Sequence, residues 1–306
     1  MSSVITAIVA VGLLGTTQAL ASDVAPPTPA LDPMTAWALL GSGVAAVITL
    51  AIASRMGLFD RDALDRGRSK AVRALPSPFW LVAWFGPPLA QGLAVAGAGA
   101  MGLAGDPDSF EATAQIAVLG GLVGSTVAIT LALLANKRAP GAGLAPGWGD
   151  MPRGLIGFGL LIPTIAFVSI AAAEAGTMIV GPSDGAAHDT LRVIVDERAN
   201  PWAWGLIAAA VIGAPVIEEI AYRGFMQSAL LAATRRPWVS ILVTAFVFAL
   251  MHWTALPADG KHAIVPLFCL GVGLGFAVER TKRVWPAIVI HALFNAANVG
   301  LALAVG

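Results

Sequence analysis

The stretch APVIEEIAYRGF, residues 214–225, decides how this chain must be read. It sets Glu218, Glu219 and Arg223 inside an apolar run from 202 to 230. At about 1.5 Å of rise per residue from Trp202, Glu218 falls about 24 Å along a helix, well inside it. A charged residue at the centre of a membrane helix costs roughly 2.5–3.5 kcal/mol, so such residues face polar cavities and pair with one another. Glu219 and Arg223 stand four apart and are expected to pair on one face. Glu218 points about a quarter-turn away, towards the side of Tyr222, the only tyrosine in the chain.

The surroundings of that stretch settle the class. Of 306 residues, 57% are hydrophobic and only 12% charged, which favours a lipid-embedded protein. Apolar runs near 34–54, 77–103, 112–135, 154–180, 202–230, 238–255, 262–279 and 284–304 are the candidate spans, a bilayer needing about 20 helical residues. The chain is therefore predicted to be an all-α, polytopic membrane helix bundle of about eight transmembrane helices. The sixth and seventh runs are short. Glycines such as Gly271 and Gly275 lie at a spacing that lets helices approach closely. The single cysteine, Cys269, lies in an apolar run and reads as core packing.

The charges test the helix count separately, because cytoplasmic loops collect Lys and Arg. Six basic residues lie between Arg55 and Arg73, three between Lys137 and Arg153, and Arg235, Arg236, Arg280, Lys282 and Arg283 follow on the same side. Only Arg192, Arg198 and Lys261 fall opposite. The alternation places both mature ends outside the cytoplasm, in a multi-pass protein of a bacterial plasma membrane. Residues 1–21, with a short apolar stretch and Ala19-Leu20-Ala21, resemble a secretory signal, although a Lys or Arg near the start is missing; an uncleaved extra span is the alternative. Residues 22–33 read as a linker containing PPTPALDP. Net charge is zero, which gives no reason to expect nucleic acid.

Two later spans repeat the pattern of polar groups on apolar helices. FALMH, residues 248–252, sets Phe248 and His252 four apart; HALFN, residues 291–295, does the same for His291 and Asn295, with Asn298 further along that face. Singly, each group has a bland role: a structural ion pair, a hydrogen-bonded core histidine, an asparagine tying helices together. Together, on three helices of the last third, they point to one polar site. One geometric feature resists this. Counted from the cytoplasmic ends of untilted helices, His291 is about 9 Å deep and His252 about 22 Å deep.

In that order and on separate spans, EExxxR (Glu218, Glu219, Arg223), FxxxH (Phe248, His252) and HxxxN (His291, Asn295) resemble the intramembrane proteases of the CAAX prenyl endopeptidase and bacteriocin-processing family. The resemblance covers about residues 202–300. It implies a catalytic membrane domain over 202–306, and leaves helices 34–180 without a role. It also implies an endopeptidase acting on a membrane-associated peptide or protein at the lipid bilayer. Glu218 and His252 would activate water, His291 and Asn295 would face the oxyanion, and Glu219 and Arg223 would support the site. The family has been read both as metal-free glutamic proteases and as metalloproteases. The spacing is not that of HExxH, which favours no cofactor; the alternative is a zinc ion on Glu218, His252 and His291. Two other classes use the same groups: a proton- or ion-coupled transporter, and a non-catalytic binding or bacteriocin-immunity protein of the same fold.

Overall fold

The structure is a computed structural model that describes residues 31–60, 64, 68–103, 106, 109–180, 189–257 and 260–305. Residues 1–21, where a signal segment is expected, and most of the expected linker lie outside the described residues. Ten helices are used below: α1 (Pro33–Arg55), α2 (Arg68–Val72), α3 (Ser77–Ala100), α4 (Phe110–Arg138), α5 (Asp150–Val180), α6 (Asp189–Asp196), α7 (Pro201–Thr234), α8 (Pro237–Met251), α9 (Ile264–Thr281) and α10 (Trp285–Val305). No strand occurs among the described residues.

Seven helices are long and apolar enough to cross a membrane, α9 together with the short turn of helix Lys261–Ala263 before it; the eighth apolar helix, α8, has 15 residues. The protein is an integral, multi-pass membrane protein with an all-α bundle. Helix ends follow local chemistry. Asp32 caps α1, accepting from the amides of Met34 (2.9 Å) and Thr35 (3.1 Å). Ser109 caps α4 through Ala112 N at 3.1 Å, and Asn200 caps α7 through Trp202 N at 3.0 Å. Pro201 and Pro237 open α7 and α8, where a missing N–H does no harm. The run 238–255 was expected to be helical throughout, but α8 stops at Met251. His252 lies in the following turn, its amide donating to Ala249 O at 3.0 Å.

The helix carrying the acidic pair is the central one. Over its most apolar window α7 is 56% buried, against 11% for α1 and 6% for α5. Helices α3, α4, α8 and α9 pack around it, and α1 lies outermost against α5. Lipid tails give helices no hydrophobic reason to associate, so close packing must do it. Helix α4 accordingly buries a stripe of small residues, including Ala117, Gly120, Gly124, Ala128, Ala132 and Ala135. A Cβ on Gly124 would stand 2.8 Å from Ile217 Cδ1, the neighbour of Glu218. On α9, a Cβ on Gly271 would meet Ala245 Cα at 3.1 Å, as the small-residue spacing implied.

The loop after α4 is stitched to the start of α10. Val284 N donates to Gly143 O at 3.0 Å, and Trp285 Nε1 to Leu144 O at 2.8 Å. Arg283 pairs with Asp150, whose carboxylate and hydrogen bond push the guanidinium pKa above its ordinary value. Gly143 has φ +75°, and an added Cβ would lie 1.8 Å from Lys282 O. Gly143→Ala is therefore expected to lower the melting temperature clearly, since the left-handed backbone alone costs roughly 1–2 kcal/mol. A thermal melt in detergent checks this; an unchanged midpoint would show that the loop can move away.

Candidate active site

The site is built on two wide turns in α7. Ala214 N donates to Ala209 O, five residues back, and Gln227 N does the same to Tyr222 O, so Ala209–Gly213 and Glu219–Met226 are π-helical. Such bulges recur at functional sites because they rotate side chains away from the regular register. The first leaves a carbonyl to be satisfied from outside the helix. In that register Ala210 O would look to the amide of residue 215, but Pro215 has none. Asn295 Nδ2 on α10 supplies the donor instead, at 2.9 Å from Ala210 O.

Within the second turn the acidic pair divides. Glu219 is fully buried; its Oε1 accepts from Arg223 Nη1 at 2.8 Å and lies 2.9 Å from His291 Nδ1. The expected pair on one face is thus present. Arg223 also donates to Gly271 O at 3.3 Å, and its guanidinium carbon sits 4.3 Å from the centroid of the Phe248 ring. With Glu219 ionised beside Arg223, the proton of a neutral His291 belongs on Nδ1, which turns the lone pair of Nε2 outward. That nitrogen stands 4.0 Å from Glu218 Oε2. Glu218 is 3% exposed, and neither of its oxygens accepts a hydrogen bond from the described residues.

His252 reaches the same place from α8. Its Nδ1 lies 2.7 Å from Phe248 O, and since a carbonyl only accepts, Nδ1 carries the proton. Its ring lies 4.6 Å from that of Phe248, and the His291 ring lies 5.9 Å from Phe248 on an edge. Phe248 therefore forms the common wall of both histidines, of Arg223 and of Tyr222, whose ring is 5.4 Å away. The depth mismatch expected for untilted helices disappears because both rings reach this one phenylalanine. At about 1.5 Å per residue α8 is about 22 Å long, shorter than the roughly 30 Å of hydrocarbon.

The groups brought together are thus Glu218, Glu219, Arg223 and His291, with His252 joined through Phe248. Asn295 is engaged by Ala210, and Asn298 bonds within its own helix to Phe294 O at 3.0 Å. A catalytic zinc needs three protein ligands converging on one point. No three His, Cys, Asp or Glu side chains among the described residues are grouped in that way. His291 is held at Nδ1 by Glu219, and its Nε2 faces Glu218 Oε2 across 4.0 Å.

Polar residues that the sequence did not single out lie directly beneath. Arg68, Gln227, Ser228 and Glu279 are all buried to 1% exposure or less. Gln227 Nε2 donates to Glu279 Oε1 at 2.8 Å and to Gly275 O at 3.1 Å. Gln227 continues the i, i+4 row of Glu219 and Arg223, a signal the sequence did contain. Arg68 sits among six loop cations and carries no such mark.

Residues 200–297 match the family described as type II CAAX prenyl endopeptidase Rce1-like. Over that segment the chain is similar to the CAAX prenyl endopeptidases. A Bacillus subtilis (strain 168) protein bearing the name "Putative membrane peptidase YdiL" is 30% identical over 90 residues, 29% of this chain and 34% of that one. The chain thus spans about a third of the length of the curated relative it matches. No solved structure matches. The family segment takes in α7 to α10 as far as Ala297 and leaves α1 to α6 outside, so Arg68 comes from beyond it and Glu279 from within.

Proposed function

We propose that this protein is an intramembrane endopeptidase of the metal-free glutamic type, hydrolysing a peptide bond of a membrane-associated peptide or protein. The observation that carries the reading is the 4.0 Å gap between Glu218 Oε2 and His291 Nε2, whose ring is held from behind by Glu219 and Arg223. A water molecule at a hydrogen-bond distance of about 2.8 Å from both atoms spans such a gap. The water would transfer a proton to Glu218 as its oxygen bonds to the scissile carbonyl carbon. His252 would stand beside Glu218 in this role, with its Nδ1 proton committed to Phe248.

The carbonyl oxygen then becomes an oxyanion. His291 would stabilise it by entering the step already protonated, as an imidazolium that stays so throughout, with Nδ1–H on Glu219 and Nε2–H on the oxyanion. Asn295 keeps one N–H beyond the one given to Ala210 and directs it to the same oxygen. Collapse of the intermediate breaks the C–N bond, and the proton held by Glu218 passes to the leaving nitrogen. Residues 202–306 form the catalytic membrane domain in this reading.

Purified full-length protein in sealed liposomes, offered a library of membrane-partitioning peptides, tests the proposal. Fragment release by wild type and its loss in His252→Ala support it; ion or solute flux without fragments would favour a transporter and overturn it. Activity is expected to persist in the presence of a strong zinc chelator. Loss on chelation with recovery on added zinc would overturn the metal-free mechanism while leaving the peptidase intact.

A further inference from the structure

We infer that Arg68, in the first cytoplasmic loop, is a positioning residue for the proposed active site, acting through the wide turn Glu219–Met226. Arg68 opens the five-residue helix α2 and is 1% exposed. Its Nη1 pairs with Glu279 on α9, a pair in which both side chains are fully buried. Its Nη2 donates to Ser228 Oγ at 2.8 Å and to Arg223 O at 3.2 Å, and its Nε to Ala142 O at 3.2 Å. One guanidinium thus ties α7, α9 and the loop after α4 to the first loop.

The bond to Arg223 O gives this clasp a reach beyond stability. Arg223 lies in the wide turn, and its own guanidinium holds Glu219, which holds His291. A second connection runs parallel: Glu279 receives both Arg68 and Gln227, and Gln227 is one turn from Arg223 on the same face. A charge buried in this way is expensive unless paired, so the ends of the network cannot shift independently. The N-terminal part of the chain, otherwise without a role, supplies the cation that fixes where the wide turn sits.

The kinetic consequence rests on the peptidase reading; the structural one does not. Removing only Arg68 leaves Glu279 uncompensated and risks misfolding, so the informative variant is the double change Arg68→Met with Glu279→Met. Replacing both members of a buried pair by apolar residues commonly keeps or raises stability. Two readouts are taken on full-length protein with an unchanged thermal midpoint: turnover in liposomes, and the imidazole ¹⁵N shifts of His291. The expected result is a fall in kcat on the order of 10- to 100-fold with KM nearly unchanged, together with displaced His291 shifts. Arg68→Lys with native Glu279, which keeps the charge without the fork, is expected to restore only part of kcat. A double variant with wild-type His291 shifts and turnover would overturn the inference and leave Arg68 a structural anchor. Should wild type cut no peptide, the peptidase reading fails, and the His291 shifts alone decide the clasp. A double variant that does not fold passes the decision to Arg68→Lys, where wild-type His291 shifts would overturn the inference.

Discussion

Replacing Glu218 by Gln is expected to leave membrane insertion and melting temperature unchanged and to lower peptide cleavage by about 10²- to 10⁴-fold, the usual contribution of a general base. The change is nearly isosteric, and neither oxygen of Glu218 accepts a hydrogen bond from the described residues. No native hydrogen bond of the carboxylate is therefore lost. What is lost is the acceptor 4.0 Å from His291 Nε2. Fragment release in liposomes measures the effect, with the thermal midpoint as the control for folding. Cleavage at the wild-type rate by a well-folded Glu218→Gln protein would remove Glu218 from the chemistry.

The second large effect concerns stability. Arg223→Ala is expected to destabilise the fold by about 3–5 kcal/mol, because removing one member of a buried pair leaves the other charge uncompensated. Glu219 would lose its 2.8 Å partner, Gly271 O its donor and Phe248 the cation over its face. Arg223→Lys is expected to recover only part of this, since one ammonium cannot reproduce a planar fork that serves a carboxylate, a carbonyl and a ring together. Thermal melts in detergent, read alongside yield in the membrane, measure both variants. A melting temperature for Arg223→Ala within error of wild type would mean that Glu219 finds another partner or is neutral.

These two predictions draw on unequal amounts of sequence information. The pairing of Glu219 with Arg223 was legible because four residues on a helix bring side chains to one face. The separate orientation of Glu218 was legible for the same reason. The end of α8 was not: the apolar run continues past Met251, and only the turn that seats His252 against Phe248 stops it. Nor was the engagement of Asn295. Its partner, Ala210 O, lacks a backbone donor because of a five-residue register combined with Pro215 on a different helix. Arg68 was read as one of several loop cations, since charge counting records which side of a membrane a residue lies on and not whether its side chain is buried.

The sequence by itself determined the class of the protein, the number and order of its apolar helices, and which of them carry ionisable groups. It could do so because a bilayer forces each span to satisfy its own backbone, leaving hydropathy and loop charge as direct records of topology. Only the tertiary structure decided which charge answers which: Glu219 with His291, Arg68 with Glu279, Asn295 with the carbonyl freed by Pro215. Those partners lie 72, 211 and 85 residues apart. A buried polar group is stabilised by whatever the packed neighbour presents within about 3 Å, and that neighbour is chosen by helix packing rather than by spacing along the chain.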